Sequence, residues 1–367
     1  MTIKPRPARH FGVEEEYLLL DEQNGTPRDA ADELIEALPH LPVEREFFAS
    51  QLETATPVCE TAGEALDVLH AFREGVAAAA ADRGLVLAGT GLPPVGGEEP
   101  GTVTQKPRYI EIAAAVRGSV SRYYSTGTHV HVEVPSRDAG VQVITRFARW
   151  SPVLLALTTN SPISLGETTG YASWRYLQTL QWPTSGHPPY FADAAEYERV
   201  VSGLVHCGAL VDKALVNWTL RLSERFPTVE LRTADAQLTA GDSVAFAVLF
   251  RAIVSRCLRE YELGESFAVS QPDMLRGAHW RASRDGISGE LFDPVEAEPR
   301  PAFELVDEVL AYAADELEAA GDTELIEGFI ARRLAEGSGA AQQLRAWETG
   351  GVPSLLALYR ESSARTI

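Results

Sequence analysis

The chain has 367 residues, 45% of them hydrophobic, with three cysteines and a formal net charge of −20. A chain of this length buries a sizeable core without disulfides, and Cys59, Cys207 and Cys257 lie far apart with no CxxC spacing, so neither a disulfide framework nor a zinc knuckle is indicated. The acidic balance argues against nucleic acid or an anionic membrane as partner, since both demand a basic face.

A metal-bridged nucleotide stays compatible with that charge, because a cation and a few arginines can offset it locally. It would not be held by a P-loop, for the chain has no GxxxxGK[ST]. Lys4, Lys106 and Lys213 are the only lysines, which puts lysine-dependent chemistry out of easy reach. The N-terminal stretch MTIKPRPARH lacks the apolar run of a signal peptide, and no run of about 18 apolar residues predicts a membrane span, so the expectation is a cytoplasmic protein.

In chain order, Phe11 to Asp21 (FGVEEEYLLLD) predicts a strand closed by the turn-like EQNGTPRD. A second strand is predicted over Glu46 to Val58. Thr61, with Glu64 at capping-box spacing, opens an Ala-rich helix to about Arg83. Leu85 to Ala88 predicts a short buried strand, followed by a Gly/Pro loop over Gly89 to Gly101. Tyr123 to Val134 (YYSTGTHVHVEV) alternates as a strand should, and a helix follows from about Ala139 to Leu157. Asn160 to Tyr190 predicts a long decorated loop, and Thr219 to Asp235 a strand, turn and strand. Periodic apolar residues from Ser243 onward predict helices. No linker divides the chain, so a single domain over 1–367 with a mainly helical last third, about 241–367, is expected. Strands gathered ahead of helices indicate an α+β class.

Successive strand side chains alternate between faces, so Glu14 and Glu16 share one face and Val13, Glu15 and Tyr17 the other. Adjacent carboxylates repel, and either solvent or a hard divalent cation resolves the repulsion. An isolated EEE run reads best as a solvated edge strand; a metal site needs other ligands to converge. His129 and His131 share a face opposite Val130 and Val132, a moderate signal for metal or phosphate. Glu53 and Glu230 sit in further strands beside apolar neighbours, and Arg232 shares the face of Glu230, a pairing suited to phosphate chemistry.

Together these segments resemble the carboxylate–amine ligases, or type 2 glutamate–cysteine ligases, of the glutamine-synthetase-like superfamily. The resemblance rests on GVEEE (Gly12 to Glu16), SQLETATPVC (Ser50 to Cys59), GTHVHV (Gly127 to Val132), NSPISLGETTGYASWR (Asn160 to Arg175), WPTSGHPP (Trp182 to Pro189) and PTVELRTAD (Pro227 to Asp235). It implies a curved, largely antiparallel sheet forming a funnel, with metals and ATP inside and helices packed outside. It further implies metal ligation by Glu14, Glu16, Glu53, His129 and Glu230. His131, Arg232 and, as a weaker candidate, Arg221 would face the ATP phosphates, with Arg232 meeting the charge of the transferring phosphoryl group as the catalytic residue. Gly170, Tyr171, Ser173 and Arg175 would lie near the carboxylate substrate. Glu167, Ile163 and Glu133 depart from the family pattern, where Asp, an aromatic and Gly are expected.

The resemblance implies ATP and Mg²⁺ or Mn²⁺ as cofactors, small-molecule acid and amine partners, and activation of the carboxylate as an acyl phosphate. L-glutamate is the favoured acid and cysteine a candidate amine. A metal-dependent amidohydrolase is a rival reading because His-x-His also opens such barrels, but βα repeats are missing. A phosphotransferase on the same sheet and a non-catalytic binding protein are the others. Assembly into a homo-oligomer is left open by the sequence.

Overall fold

The computed structural model describes residues 8–365, so most of the N-terminal MTIKPRPARH stretch lies outside the described residues. The main sheet contains β1 (Phe11–Asp21), β2 (Glu44–Arg45), β3 (Gln51–Ala55), β4 (Leu85–Ala88) and β5 (Gly127–Glu133). After a small hairpin of β6 (Ile163–Ser164) and β7 (Glu167–Thr168), β8 (Leu220–Leu222) and β9 (Thr228–Asp235) complete it. The order is β2-β3-β1-β5-β9-β8, with β4 paired to the C-terminal half of β1, and every pairing is antiparallel.

The burial of β1 explains where a cavity forms. Its first half alternates, with Val13 buried and Gly12 and Glu14 partly open, whereas Glu15 to Leu20 are buried without interruption. In the second half Tyr17 and Leu19 pack with Phe72 and Val76 of the helix Ala62–Ala81. Leu18 and Leu20 meet Leu355 and Tyr359 of the C-terminal helix on the other face. Lower down, Val13, Val130, Val132, Val229 and Leu231 join the core built on the helix Ala240–Leu263. Their opposite face is left open. An antiparallel sheet packed on one side and wet on the other gives this alternation.

Several expectations shift in detail. The strand expected over Glu46 to Val58 is split: Phe47 to Ser50 bend, which carries Phe48 into the core, and only Gln51–Ala55 pairs with β1. The Thr61 cap forms as predicted, its hydroxyl accepting from the Glu64 amide while Glu64 reaches back. The helix expected over Ala139 to Leu157 is two, Arg137–Phe147 and Ser151–Leu157, broken ahead of Pro152, whose ring cannot continue the first. The helical last third also contains an unforeseen hairpin of β10 (Glu290–Asp293) and β11 (Glu298–Pro301). Among the described residues no helix is long and apolar enough to cross a membrane.

One irregularity lies inside the main sheet. Gly127 pairs with Asp235 and Thr128 with Ala234, but Val130 pairs with Leu231 and His131 with Glu230, so β9 carries one extra residue opposite His129.

Candidate active site

The register sets out a row of polar side chains on the open face. Glu53 stands opposite both Glu44 on β2 and Glu16 on β1, Glu14 opposite His129, Gly12 opposite His131, and Glu230 between His131 and Arg221. Directly opposed side chains on neighbouring strands come within contact range. They line a cavity of about 470 Å³.

Two carboxylate groups stand out. Glu14, His131 and Glu230 offer one ligand atom each within 4.8 Å of one another, and so do Glu16, Glu46 and Glu53. In the first, His131 Nε2 lies 3.2 Å from Glu14 Oε1 and 3.8 Å from Glu230 Oε2, while its Nδ1 is occupied by Thr228 Oγ1 at 2.9 Å. His129 is placed between the two, its Nδ1 3.5 Å from Glu14 and its Nε2 3.7 Å from Glu16. That Nε2 is buried and has no hydrogen-bond partner among the described residues. Hard oxygen donors with an imidazole suit a hard divalent cation.

Electrostatics separate the two groups. Burial pushes the Glu16 carboxyl up to about 8, with Glu46 adding to it, and lifts Glu53 well above the usual carboxylate range, with Glu46, Glu16 and Glu14 adding to the effect. Glu46 is raised by burial as well. Burial also opposes ionisation of Glu14 and Glu230, but it is outweighed. His129 and His131 hold Glu14 well below the ordinary range, and Arg221 and Arg232 do the same for Glu230. Burial and the neighbouring Arg232 lower His129 to about 4, so its ring is neutral at neutral pH. The Glu16 side thus gathers carboxyls that resist ionising together, a penalty that a bound cation relieves.

The arginines differ in freedom. Arg221 donates twice to Glu230, at 2.8 and 2.9 Å, and again to the carbonyls of Ala214 and Val216. Its expected role toward phosphates is therefore not supported by the geometry: these donors are spent on holding Glu230. Arg232 donates to Glu230 and to His129 Nδ1, yet still lines the cavity. His131, expected to face phosphate, stands instead among the carboxylates.

The loop residues divide too. Arg175 reaches the cavity, but Gly170, Tyr171 and Ser173 do not line it. Ser173 caps the helix Trp174–Thr179 and donates to Asp235, while Tyr171 packs near Trp174 and Trp280. Tyr171 and Ser173 support the helix that carries Arg175. Glu15, on the opposite face as the alternation required, is buried in an ion pair with Arg73 and accepts from Ser243 and Tyr17.

Sequence reasoning missed Glu46, which accepts from Tyr109 at 3.0 Å, and Asp235, which accepts from Ser161 and Ser173 at 2.8 Å each. Their signals were present: Glu46 lies seven residues before Glu53 in the same acidic stretch, and Asp235 closes the PTVELRTAD segment. Arg108 and Arg225 add positive charge to the cavity wall.

Acidic groups on the open face of an antiparallel sheet, with arginines between them, suit an enzyme that handles phosphate groups. The chain matches the family described as "Glutamate-cysteine ligase family 2 (GCS2)" over residues 10–359, and it belongs to that family. It is an ATP-dependent carboxylate–amine ligase.

A relative from Salinispora tropica, named "Putative glutamate--cysteine ligase 2", is 38% identical over 344 residues, covering 93% of this chain and 91% of the relative. One from Saccharopolyspora erythraea, named "Putative glutamate--cysteine ligase 2-2", is 37% identical over 361 residues, covering 96% and 92%. Among solved structures, a glutamate–cysteine ligase of Francisella tularensis in complex with AMP superposes with a TM-score of 0.71 at 13% identity, covering 98% of this chain and 89% of that one. A bifunctional glutathione synthetase of Pasteurella multocida gives 0.70 at 14% identity, and this chain, 98% covered, spans about half (53%) of its length. At such identities the structural likeness speaks for the fold: a mixed helix and antiparallel sheet arrangement, as expected.

Proposed function

We propose that this ligase joins L-glutamate to an amine, with cysteine as the first amine to test, using ATP together with Mg²⁺ or Mn²⁺. The observation that carries the reading is the pair of acidic groups about the buried, unpartnered Nε2 of His129, with Arg232 and Arg175 facing the same space.

Glu14, His131 and Glu230 would hold one cation and Glu16, Glu46 and Glu53 a second, with His129 between them. When bound, such cations neutralise phosphate oxygens and so favour phosphoryl transfer. A carboxylate does not condense with an amine in water, because hydroxide is a poor leaving group; transfer of the γ-phosphoryl group to it provides a leaving group that an amine can displace. Arg232, held by Glu230 and His129, is fixed to donate to the negative charge that develops in this transfer. Arg221 keeps Glu230 ionised and in place. Arg175 supplies a fixed positive charge for a substrate carboxylate. Tyr109 orients Glu46.

The test is ADP release measured over a panel of acids and amines. Release that requires both L-glutamate and an amine, with an amide as product, supports the proposal. ADP release with acid alone, yielding a stable phosphorylated product, would make the protein a phosphotransferase instead.

A further inference from the structure

The last helix, Gly339–Ala364, is broken in its middle, where Gly350 and Gly351 leave helical geometry and Pro353 follows. Gly351 has a φ of 59°, a conformation that glycine adopts without a steric penalty. A straight helix would set Tyr359 about 24 Å beyond Gln343, 16 residues earlier. Across the break the Tyr359 hydroxyl instead donates to Gln343 Oε1 at 2.8 Å.

From Gln343 a chain of hydrogen bonds runs toward the cavity. Gln343 Nε2 donates to the Asn160 carbonyl at 2.8 Å and to Asn160 Oδ1 at 2.6 Å. Asn160 Nδ2 donates to the carbonyls of Gly89 and Ala236, at 2.8 and 2.6 Å. Backbone carbonyls only accept, so both side-chain amides are held one way round, and Gln343 Oε1 is left for Tyr359. The Asn160 backbone amide donates to Asp235 Oδ2 at 2.7 Å. Asp235 in turn holds Arg175 at both ends. Ser161 donates to Asp235 and accepts from the Arg175 amide at 3.1 Å, while Asp235 Oδ1 lies 3.7 Å from Arg175 Nη1.

The chain has little slack. Asn160, Asp235, Gln343 and Tyr359 are each at most 1% exposed, so bulk water cannot replace a lost partner. A Cβ on Gly339 would collide with Asn160 Oδ1, and one on Gly127 with Arg175 Nη2. In a buried network of this kind, a lost bond is made good only by moving the neighbours. None of the four residues lines the cavity, whereas Arg175 does.

We infer that Gln343 and Tyr359 are positioning residues for Arg175, acting from the far side of the molecule through Asn160 and Asp235. The inference rests on the role proposed for Arg175 toward a substrate carboxylate. The break in the last helix is what lets Tyr359 take part, because it brings two distant turns of one helix to the same amide.

The experiment measures ADP release with L-glutamate varied, at saturating cysteine, ATP and Mg²⁺, for the wild type, Tyr359→Phe and Gln343→Met. Each variant should raise the KM for L-glutamate about tenfold while kcat and the KM for ATP change less than about twofold. In an Arg175→Lys background the same substitutions should lower kcat/KM for L-glutamate by less than about twofold, since the residue they act through is already altered. A second readout needs no turnover. Hydrogen exchange at the Asn160 and Arg175 amides should quicken about tenfold in both variants, with the helix Arg137–Phe147 unchanged. A lower melting temperature with an unchanged KM, an equal loss in the Arg175→Lys background, or unchanged exchange at both amides overturns the inference. If the wild type releases no ADP with L-glutamate, the proposed acid falls, and exchange alone decides: quickening at the two amides supports the positioning role and no change refutes it. Tyr359→Phe removes a single oxygen, so it carries the test should Gln343→Met fail to fold.

Discussion

Replacing Glu15 and Glu16 by glutamine, one at a time, should move the melting temperature of the metal-free protein in opposite directions. Glu15 is buried with Arg73, whose Nε and Nη2 donate to it at 3.1 and 2.5 Å, and the Arg73 guanidinium is itself fully buried. Glutamine leaves that guanidinium without a counter-charge, a loss of about 3–5 kcal/mol. With an unfolding entropy of roughly 2.1 cal/mol/K per residue, a chain of this length loses about 1.3 °C per kcal/mol, hence about 4–6 °C.

For Glu16 the sign reverses. Its folded carboxyl is pushed up to about 8 by burial and by Glu46, above an ordinary value of 4.5. A carboxyl raised on folding contributes most below 4.5, and that contribution is lost as pH rises toward 8. At pH 7 the lost contribution is about 3 kcal/mol. Glutamine cannot ionise, so Glu16→Gln should gain about 4 °C at pH 7, a gain that disappears near pH 4.5. Differential scanning calorimetry in chelator across this pH range measures both variants. A lower melting temperature for Glu16→Gln at pH 7, or a gain that persists unchanged at pH 4.5, would refute the reasoning.

Glu53→Gln and Glu230→Gln should each abolish ligation in a folded protein; metal calorimetry with ATP beside circular dichroism checks this, and full turnover in either variant removes that residue from the site. Replacing Cys59, Cys207 and Cys257 together by Ala or Ser should preserve the chemistry with some loss of stability at the two buried positions, since phosphate activation needs no thioester; a covalent substrate adduct on any of the three, seen by mass spectrometry, would exclude the mechanism. His131→Ala should weaken metal affinity about tenfold or more because its Nε2 stands among Glu14 and Glu230; unchanged metal titration with a raised ATP requirement would return it to the phosphates.

What could be read in the sequence was whatever alternation controls. Glu14, Glu16, His129 and His131 fall on the open face because strand period two leaves no other arrangement once Val13, Val130 and Val132 are in the core. Glu46 could not be placed this way, since Phe47 to Ser50 leave the strand and only tertiary packing of Phe48 decides where the preceding carboxylate points. Arg221 shows the same limit. Its partner is one strand away at Glu230, and whether its donors are free depends on the Ala214 and Val216 carbonyls, which no local pattern announces. The resemblance groups Gly170, Tyr171 and Ser173 with Arg175, but of the four only Arg175, on the helix that Ser173 caps, lines the cavity.

The extra residue in β9 has a consequence for how this strand tolerates insertion and deletion. Paired residues share a face, so Asp235, opposite Gly127, lies on the side where Arg175 passes, although strict alternation from Glu230 would have turned it away. Deleting one residue between Arg232 and Asp235 would restore a regular ladder, the conventionally better strand. Both flanking pairings would survive it: Val130 would stay with Leu231 and Thr128 with Ala234, and Asp235 would remain opposite Gly127, within reach of Ser161 and Ser173. The bulge is therefore the place in β9 where the loss of one residue leaves the side chains on both flanks facing as they do now.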